Sequence, residues 1–298
     1  MRQDRTATGA EHTAGHTQGV VGRARTRDGR TLYHQRRTAR PPGAAATVVF
    51  EGGLAASRSY WALVQEELAD DADTVVYDRS GLGRSPRGRA PRTLARLARD
   101  LGDLLDHLGP GPFVLAGHSW GGPVVRVAAA AATGRIAGVV LIDATDEACE
   151  PLFDPTSRAL ERTAQRKSAE LARTGQLGPA FRPLTDALPP DAGADMRREG
   201  FTPRAMRTRG AELAAVTDGL RSLLERPPQL GNVPVTVISA ALETPGMTPE
   251  LRAALDTAHA HRAAESRRGR HVYALRSGHM VPVGEPRIIA EEVRRLLG

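Results

Sequence analysis

The segment Phe113–Gly122 (FVLAGHSWGG) constrains the fold of this chain more than any other part of the sequence. An apolar run ends in Gly-x-Ser-x-Gly, and a helix-prone run of small residues follows it. This order predicts a nucleophile elbow, in which a strand turns sharply into a helix and lifts the hydroxyl of Ser119 clear of the backbone. Gly117 and Gly121 stand two residues to either side of the serine, where larger side chains would collide with the turn.

Short runs of Val, Ile and Leu alternate with helical segments along most of the chain. The predicted strands cover 47–50, 74–78, 113–118, 137–143, 233–238 and 271–275, and the clearest helices cover 60–68, 93–108 and 286–297. Asp28-Gly29, between two short runs, predicts a hairpin ahead of them. The alternation predicts an α/β fold with a mostly parallel sheet that is covered by helices on both faces.

Two stretches of the chain lack this alternation of strands and helices. Residues 1–19 are polar and lack an apolar period, which predicts a disordered tail. Residues 146–228 contain no strong strand run, and their Arg-rich helical segments are broken by Pro and Gly. We therefore predict a helical cap at 146–228, inserted into a core formed by 20–145 and 229–298.

The composition excludes several classes of protein. The net charge of +7 comes almost wholly from arginine, because Lys167 is the only lysine, and 4% aromatic residues are too few for base-stacking platforms. No apolar run approaches the length of about 18 residues that a membrane span needs. Cys149 is the single cysteine and can form no intrachain disulfide. We expect a cytoplasmic protein with a small-molecule partner and no nucleic-acid or membrane partner. The oligomeric state stays open.

A serine nucleophile needs a base, and His279 is the best candidate. It follows the last predicted strand on a Gly-bearing loop and precedes the final helix. Imidazole suits this role because its ordinary pKa lies near neutral pH. His118 lies within the elbow beside the serine, which favours a structural role for it. His259 and His261 are two residues apart on a predicted helix, so they do not share a face as a metal pair would.

The oxyanion formed during acyl transfer needs backbone N–H donors near the serine. The elbow supplies the N–H of Trp120, and the loop after the first parallel strand should supply the second. That loop, residues 51–57 (EGGLAAS), is rich in small residues where backbone must approach a substrate. We assign the second donor to Leu54, with Gly53 as the alternative.

Five motifs together resemble the α/β-hydrolase family. They are the loop at 50–57, the Asp-x-x-Gly-x-Gly-x-Ser turn at 78–85, the elbow at 117–121, the strand end at 140–143 and the segment 277–286. The resemblance runs from about residue 20 to the C-terminus. Most relatives carry His-Gly in the first loop, whereas Gly52 stands here at the histidine position after Glu51. This resembles a subgroup with Glu-Ser-Gly-Leu-Gly, and the backbone donors should survive the change.

The triad acid has two candidates, because the fold places it after either of two strands. Asp143 ends the strand before the cap, and Glu243 follows the next strand, where many relatives carry Gly-x-x-Asp. The subgroup that this chain resembles generally uses the earlier position, which favours Asp143. We expect Asp78 and Arg79 to organise their own turn.

The resemblance and the candidate residues imply a serine hydrolase of the esterase type, acting through an acyl-enzyme without a metal or cofactor. Amidase or aminopeptidase, thioesterase and perhydrolase activities are alternatives, as is a ligand-binding protein without turnover. Serine at the elbow argues against haloalkane dehalogenase and epoxide hydrolase chemistry, which use a carboxylate there. The cap arginines could attract anionic substrates.

Overall fold

The computed structural model of the protein describes residues 15–40, 43, 45–244 and 246–298. Most of the predicted tail, residues 1–14, lies outside the described residues. Residues 15–19 differ from that prediction because they pack against the folded core. The side chain of Gln18 is fully buried, and its amide nitrogen donates to the backbone oxygen of Arg58 and to the side chain of Gln65, both at 3.0 Å.

Within the described residues, eight strands form one sheet in the order β1-β2-β4-β3-β5-β6-β7-β8. In this sheet, β1 runs antiparallel to β2, and β2 runs antiparallel to β4. The other neighbours run parallel, which confirms the predicted α/β class. The strands are β1 (Val20–Arg25), β2 (Thr31–Arg37), β3 (Thr47–Glu51), β4 (Asp73–Tyr77), β5 (Phe113–His118), β6 (Ile136–Ile142), β7 (Val235–Ala240) and β8 (Gly269–Ala274).

Helices cover both faces of this sheet, as the sequence predicts. The helices outside the insertion are α1 (Ala62–Glu67), α2 (Leu94–Leu108), α3 (Gly121–Ala130), α9 (Pro249–Glu265), α10 (Val281–Gly284) and α11 (Pro286–Leu297). The apolar side chains of α1 and α11 share one buried cluster. Those of α2 and α3 belong to a second cluster on the opposite face, together with Ala263 of α9.

Strict alternation along the central strands produces these two clusters. In β5, Val114 and Ala116 face the α1 side, whereas Phe113 and Leu115 face the α2 side. All four are buried. Successive side chains of a strand point to opposite faces, so a continuous apolar run is what a strand buried on both faces requires.

The segment between β6 and β7 carries helices and no strand among its residues. Its helices are α4 (Pro155–Arg173), α5 (Leu177–Ala180), α6 (Arg182–Asp186), α7 (Pro190–Glu199) and α8 (Pro203–Glu225), all inside the predicted cap. The carboxylate of Asp154 accepts from the N–H of Ser157 at 2.8 Å and caps the start of α4. In the part of the chain that the structure describes, no helix is long and apolar enough to cross a membrane.

Candidate active site

The turn from β5 into α3 has the geometry that the glycine pattern predicts. Ser119 has φ +54°, a left-handed conformation that is rare for a residue with a side chain. A Cβ on Gly117 would lie 2.5 Å from the backbone oxygen of Gly121, and one on Gly121 would lie 2.3 Å from the backbone oxygen of Glu51. Only glycine fits at either position, so the two glycines allow the strained turn that presents the serine.

Three predicted side chains form a continuous hydrogen-bond chain at this turn. The Oγ of Ser119 lies 3.1 Å from Nε2 of His279, and Nδ1 of His279 lies 2.7 Å from Oδ2 of Asp143. The loop after β8 is held in place where the N–H of His279 donates to Oγ1 of Thr244 at 2.7 Å. A hydroxyl, an imidazole and a carboxylate are thus hydrogen-bonded in the order that acyl transfer on serine requires.

Asp143 is buried immediately after β6 and also has a left-handed backbone, with φ +38°. Its Oδ1 accepts from the N–H of Ala240 at 3.0 Å and lies 2.8 Å from the guanidinium of Arg252. Burial alone would raise the pKa of this carboxyl, but the hydrogen bond and charge of His279, with the charge of Arg252, hold it below its usual range. Asp143 therefore remains an anion. Arg252 on α9 is a contact that the sequence did not predict.

Glu243, the other candidate acid, occupies a different environment. It follows β7 and its side chain is exposed. Its backbone oxygen faces the loop that carries the base, 3.1 Å from where a Cβ on Gly278 would lie. Among the described residues, the carboxylate that hydrogen-bonds His279 belongs to Asp143. Of the two acids that the sequence left open, the structure brings Asp143 to the imidazole.

The predicted oxyanion loop lies against the elbow. A Cβ on Gly53 would be 2.9 Å from Cβ of Ser119 and 3.3 Å from its Oγ, so the loop backbone approaches the hydroxyl closely. Leu54 and Trp120 line one cavity together with Ser119. The residues assigned as donors therefore surround the serine, and the close approach explains why small residues stand in this loop.

A family model described as alpha/beta hydrolase fold matches residues 46–270. The chain belongs to this family. A relative from Azorhizobium caulinodans, named "Putative carbamate hydrolase RutD", is 31% identical over 34% of this chain and 38% of its own length. The chain thus spans well under half of that relative. An "AB hydrolase superfamily protein" of Gibberella zeae is 25% identical over 84% of this chain and 85% of its own length.

Solved structures of low sequence identity share the fold of this hydrolase. A thermophilic esterase from Thermogutta terrifontis aligns with a TM-score of 0.64 and 23% identity, covering 94% of this chain and 98% of that one. The epoxide hydrolase CorEH aligns with a TM-score of 0.68 and 18% identity, covering 93% and 98%. At these identities the likeness concerns the fold alone, and the chemistry has to be argued from the site.

A cavity of about 480 Å³ opens at Ser119, between the elbow and the inserted helices. Apolar side chains from the insertion line part of it, among them Leu152, Leu213 and Val216. The charged side chains that line it come from α4 and are Arg158, Glu161, Arg162 and Arg166. The three arginines lie four residues apart and so share one face of the helix. The hydrolase thus has an apolar wall and a basic wall around the serine.

His118 is a second histidine, and it contacts His279. Its ring is almost fully buried, and its Nε2 lies 2.7 Å from the backbone oxygen of His279. A carbonyl can only accept, so this nitrogen carries the proton and donates it. Burial, and next the charge of His279, lower the pKa of His118 to about 3. His118 is a neutral donor that fixes the loop of the base, which agrees with the structural role expected for it.

This buried histidine predicts an acid-sensitive fold. The folded pKa of His118 is about 3, far below the unfolded value, so only the unfolded chain takes up a proton as the pH falls below about 6.5. The free energy of unfolding should therefore fall by about 2 kcal/mol between pH 7 and pH 5 through this residue. His118→Gln, which can still donate to the carbonyl, should lose that part of the dependence. Urea titrations of both proteins at both pH values measure the difference. Burial also lowers the pKa of His34, to about 4. Because both proteins contain His34, its contribution to the pH dependence cancels when the two are compared. Equal pH slopes would contradict this account of His118.

The turn at Asp78 and Arg79 reaches further than the sequence predicts. Asp78 does organise its own turn, because it accepts from the N–H of Arg84 at 3.0 Å. It also forms a fully buried ion pair with Arg58 at 2.6 Å. The guanidinium of Arg79 reaches both the oxyanion loop and α8. No local signal could reveal the α8 contact, because its partner Glu212 stands 133 positions along the chain.

Cys149 and His259 lie outside the hydrogen-bond chain of Ser119, His279 and Asp143. The thiol of Cys149 is buried, and burial raises its pKa to about 11, which keeps it protonated. His259 is buried and bonds Ser239 at 2.7 Å and the backbone oxygen of Ala144 at 2.7 Å. Within the described ranges, no group of three or more His, Cys, Asp or Glu side chains is arranged to hold a metal ion.

Proposed function

We propose that this hydrolase cleaves an ester-like bond of a small molecule through an acyl-enzyme formed on Ser119. The observation that carries the proposal is the hydrogen-bond chain from Ser119 through His279 to Asp143, at 3.1 and 2.7 Å. A serine hydroxyl is a poor nucleophile near pH 7, and a base held by a buried carboxylate is the standard means of activating it.

In the proposed acylation, Nε2 of His279 takes the proton of Ser119 while Oγ attacks the substrate carbonyl carbon. The carbonyl oxygen becomes an anion, which the N–H groups of Trp120 and Leu54 bind, with Gly53 as the alternative donor. Asp143 accepts the Nδ1–H and stabilises the imidazolium that forms. The imidazolium then gives its proton to the leaving alcohol as the C–O bond breaks.

Deacylation repeats these steps with water. His279 takes a proton from a water molecule, whose oxygen attacks the acyl carbon. The same backbone donors bind the second oxyanion. When it collapses, the bond to Oγ breaks, Ser119 recovers its proton from His279, and the carboxylic acid leaves. Ser119, His279 and Asp143 are therefore sufficient for each proton transfer in the proposed cycle.

Labelling and turnover test the proposal together. A fluorophosphonate probe should modify Ser119, as located by peptide mass spectrometry, and p-nitrophenyl acetate should be hydrolysed with a burst of p-nitrophenol. A panel of esters, thioesters, amides and carbamates of varied chain length then ranks the bond types. Carbamates belong in it because of the name of the Azorhizobium caulinodans relative.

Each alternative has its own outcome in the same experiment. Faster turnover of amides or thioesters would reassign the bond, and peracid formation from an ester and hydrogen peroxide would indicate a perhydrolase. If the protein bound an ester but neither hydrolysed it nor was labelled at Ser119, the proposed enzyme activity would be wrong. A ligand-binding function would then be favoured.

The basic wall of the cavity leads us to propose a preference for esters that carry a carboxylate. Arg162 is exposed at this wall, where one favourable charge contributes up to about 1 kcal/mol, or about fivefold in kcat/KM. Arg162→Gln should therefore lower kcat/KM about two- to fivefold for a p-nitrophenyl hemisuccinate and leave p-nitrophenyl butyrate unchanged.

Arg173→Gln is the matched control for this preference. Arg173 lies in the last turn of α4, is exposed, and does not line the cavity. Its replacement should leave kcat/KM unchanged for both esters. The preference of the wild type should also shrink as salt rises from 0.05 to about 0.5 M, since mobile ions screen exposed charges. Equal losses in both variants would show that the overall charge, not the cavity wall, steers the substrate.

A further inference from the structure

The guanidinium of Arg79 joins the oxyanion loop to the inserted helices. Its side chain is 3% exposed. It donates to Oε1 of Glu51 at 2.6 Å, to the backbone oxygen of Gly53 at 2.6 Å, and to the backbone oxygen of Gly52. On its other side it donates to Glu212 on α8 at 2.7 Å. One planar cation thus holds two successive carbonyls of the loop and one helix of the cap.

The two carbonyl contacts determine where the loop N–H groups point. In a trans peptide the C=O and the N–H are directed oppositely. The carbonyl of Gly52 points to Arg79, so the N–H of Gly53 points away from it. The carbonyl of Gly53 also points to Arg79, so the N–H of Leu54 points away as well. These are the two N–H groups between which the assignment of the loop donor lies.

The loop's own preferences fix only part of this arrangement. Ala55, the next residue, has φ +60°, a left-handed conformation that is unfavourable for a residue with a Cβ. Gly52 and Gly53 allow many backbone conformations. Inside the loop, the carbonyl of Gly53 accepts from the N–H of Ala56 at 3.2 Å. Arg79 adds contacts from outside the loop to the carbonyls of both Gly52 and Gly53.

The cap side of the cluster is equally well anchored. Glu212 is fully buried and also accepts from Nε of Arg92 at 3.0 Å. Burial alone would raise the pKa of Glu212, but the charges of Arg79 and Arg92 lower it. Two arginines, Arg79 and Arg92, thus meet two buried carboxyl groups, Glu51 and Glu212, in one cluster. Two near neighbours of Glu212 in α8, Gly210 and Leu213, line the cavity at Ser119.

We propose that Arg79 is a positioning residue that aims the loop N–H toward the oxyanion and, through Glu212, ties the cavity wall to that donor. This inference rests on the proposed serine hydrolase function. It predicts that disturbing Arg79 weakens binding of the transition state more than binding of the substrate. A purely structural ion pair would lower stability without that distinction.

Arg79→Lys tests the proposal, because an ammonium cannot span two carbonyls and two carboxylates with the geometry of a guanidinium. We expect kcat for p-nitrophenyl butyrate to fall about 10- to 100-fold with KM changed less than about threefold, since loss of a whole oxyanion donor costs about 100-fold or more. An aryl trifluoromethyl ketone, which forms an oxyanion adduct with the serine, should bind more weakly by the same factor as the fall in kcat.

Arg92→Lys is the matched control. Arg92 is buried and bonds the same Glu212, yet it is not among the donors to the oxyanion loop. Its replacement should change kcat and ketone affinity less than about threefold at a similar loss of melting temperature. Should Arg79→Lys fail to fold, Glu51→Gln keeps the shape of the cluster and removes one charge from the same loop. That variant should lower kcat and ketone affinity in parallel, and no change in either would overturn the proposal.

The outcomes separate this inference from the function on which it rests. An active wild type with an Arg79→Lys variant that behaves like Arg92→Lys would overturn the positioning role alone. A wild type that neither turns over esters nor is labelled at Ser119 would overturn the proposed function and this inference together.

Discussion

Replacement of Ser119 by alanine is expected to lower kcat for p-nitrophenyl acetate by about 10⁴-fold or more. The variant lacks the oxygen that lies 3.1 Å from Nε2 of His279, so no acyl-enzyme can form. Labelling by a fluorophosphonate should disappear with it. Only the small acceleration from the backbone donors and from substrate binding should remain. Steady-state turnover and probe labelling measure the two losses on the same protein.

Ser59→Ala is the control for this variant. Ser59 is buried in the short 3₁₀ helix that follows the oxyanion loop, and its Oγ has no hydrogen-bond partner among the described residues. Removing that hydroxyl should leave kcat within about threefold of the wild type, as expected of a change that breaks no interaction. If Ser119→Ala retained most of its ester turnover, a different group would have to be the nucleophile.

The atom at the tip of the elbow decides between chemistries that share this fold. The esterase and the epoxide hydrolase align with TM-scores of 0.64 and 0.68, so the backbone does not discriminate between them. A serine hydroxyl attacks a carbonyl carbon and forms an acyl-enzyme, whereas epoxide hydrolase chemistry uses a carboxylate that attacks a saturated carbon. The hydroxyl of Ser119, with a base at hydrogen-bond distance, therefore supports acyl transfer in this chain.

Local sequence signals predicted the parts of the site that depend on backbone conformation. Gly117 and Gly121 indicated a turn that no larger residue fits, and the clashes at 2.5 and 2.3 Å give the physical reason. The small residues at 51–57 indicated a loop whose backbone approaches a substrate, and in the structure Gly53 of this loop lies against Ser119. Each of these signals is a steric requirement at one position, which a single sequence can express.

Contacts between distant segments left no comparable signal. Arg79 and Glu212 are an ordinary arginine and an ordinary helical glutamate in the sequence, and only the packing of α8 on the core brings them together. The same holds for Arg252 beside Asp143, since the whole insertion and β7 lie between them in the sequence. The sequence predicted that the cap is helical. It did not predict the cavity wall at Ser119, because that wall depends on how α4 and α8 pack together.

The triad acid was ambiguous for a topological reason. β6 and β7 are parallel neighbours, so Asp143 and Glu243 both follow strand ends at the same edge of the sheet. The sequence places two carboxylates at that edge but does not say which one turns inward. In the structure, a left-handed backbone at φ +38° accompanies the buried position of Asp143, whereas Glu243 is exposed.

Asp143→Asn should lower kcat by about 10⁴-fold while Glu243→Gln leaves it within about twofold. The carboxylate of Asp143 accepts the Nδ1–H of His279 at 2.7 Å, which leaves Nε2 free to take the proton of Ser119. An asparagine amide can instead donate to Nδ1. The ring proton would then move to Nε2, and the imidazole could no longer act as a base. Turnover of p-nitrophenyl acetate by the two variants measures the contrast.

The two variants should also differ in stability, so unfolding has to be excluded as the cause of any lost turnover. The lowered pKa of Asp143 means that the folded protein favours its anion, so the asparagine variant should lose about 1 to 3 kcal/mol of unfolding free energy. Glu243 is exposed, and its replacement should cost less than about 0.5 kcal/mol. Assays well below the melting temperature of both variants separate lost catalysis from lost fold. If Glu243→Gln alone abolished turnover, the acid would be Glu243, and the loop after β7 would have to move its exposed carboxylate inward during the reaction.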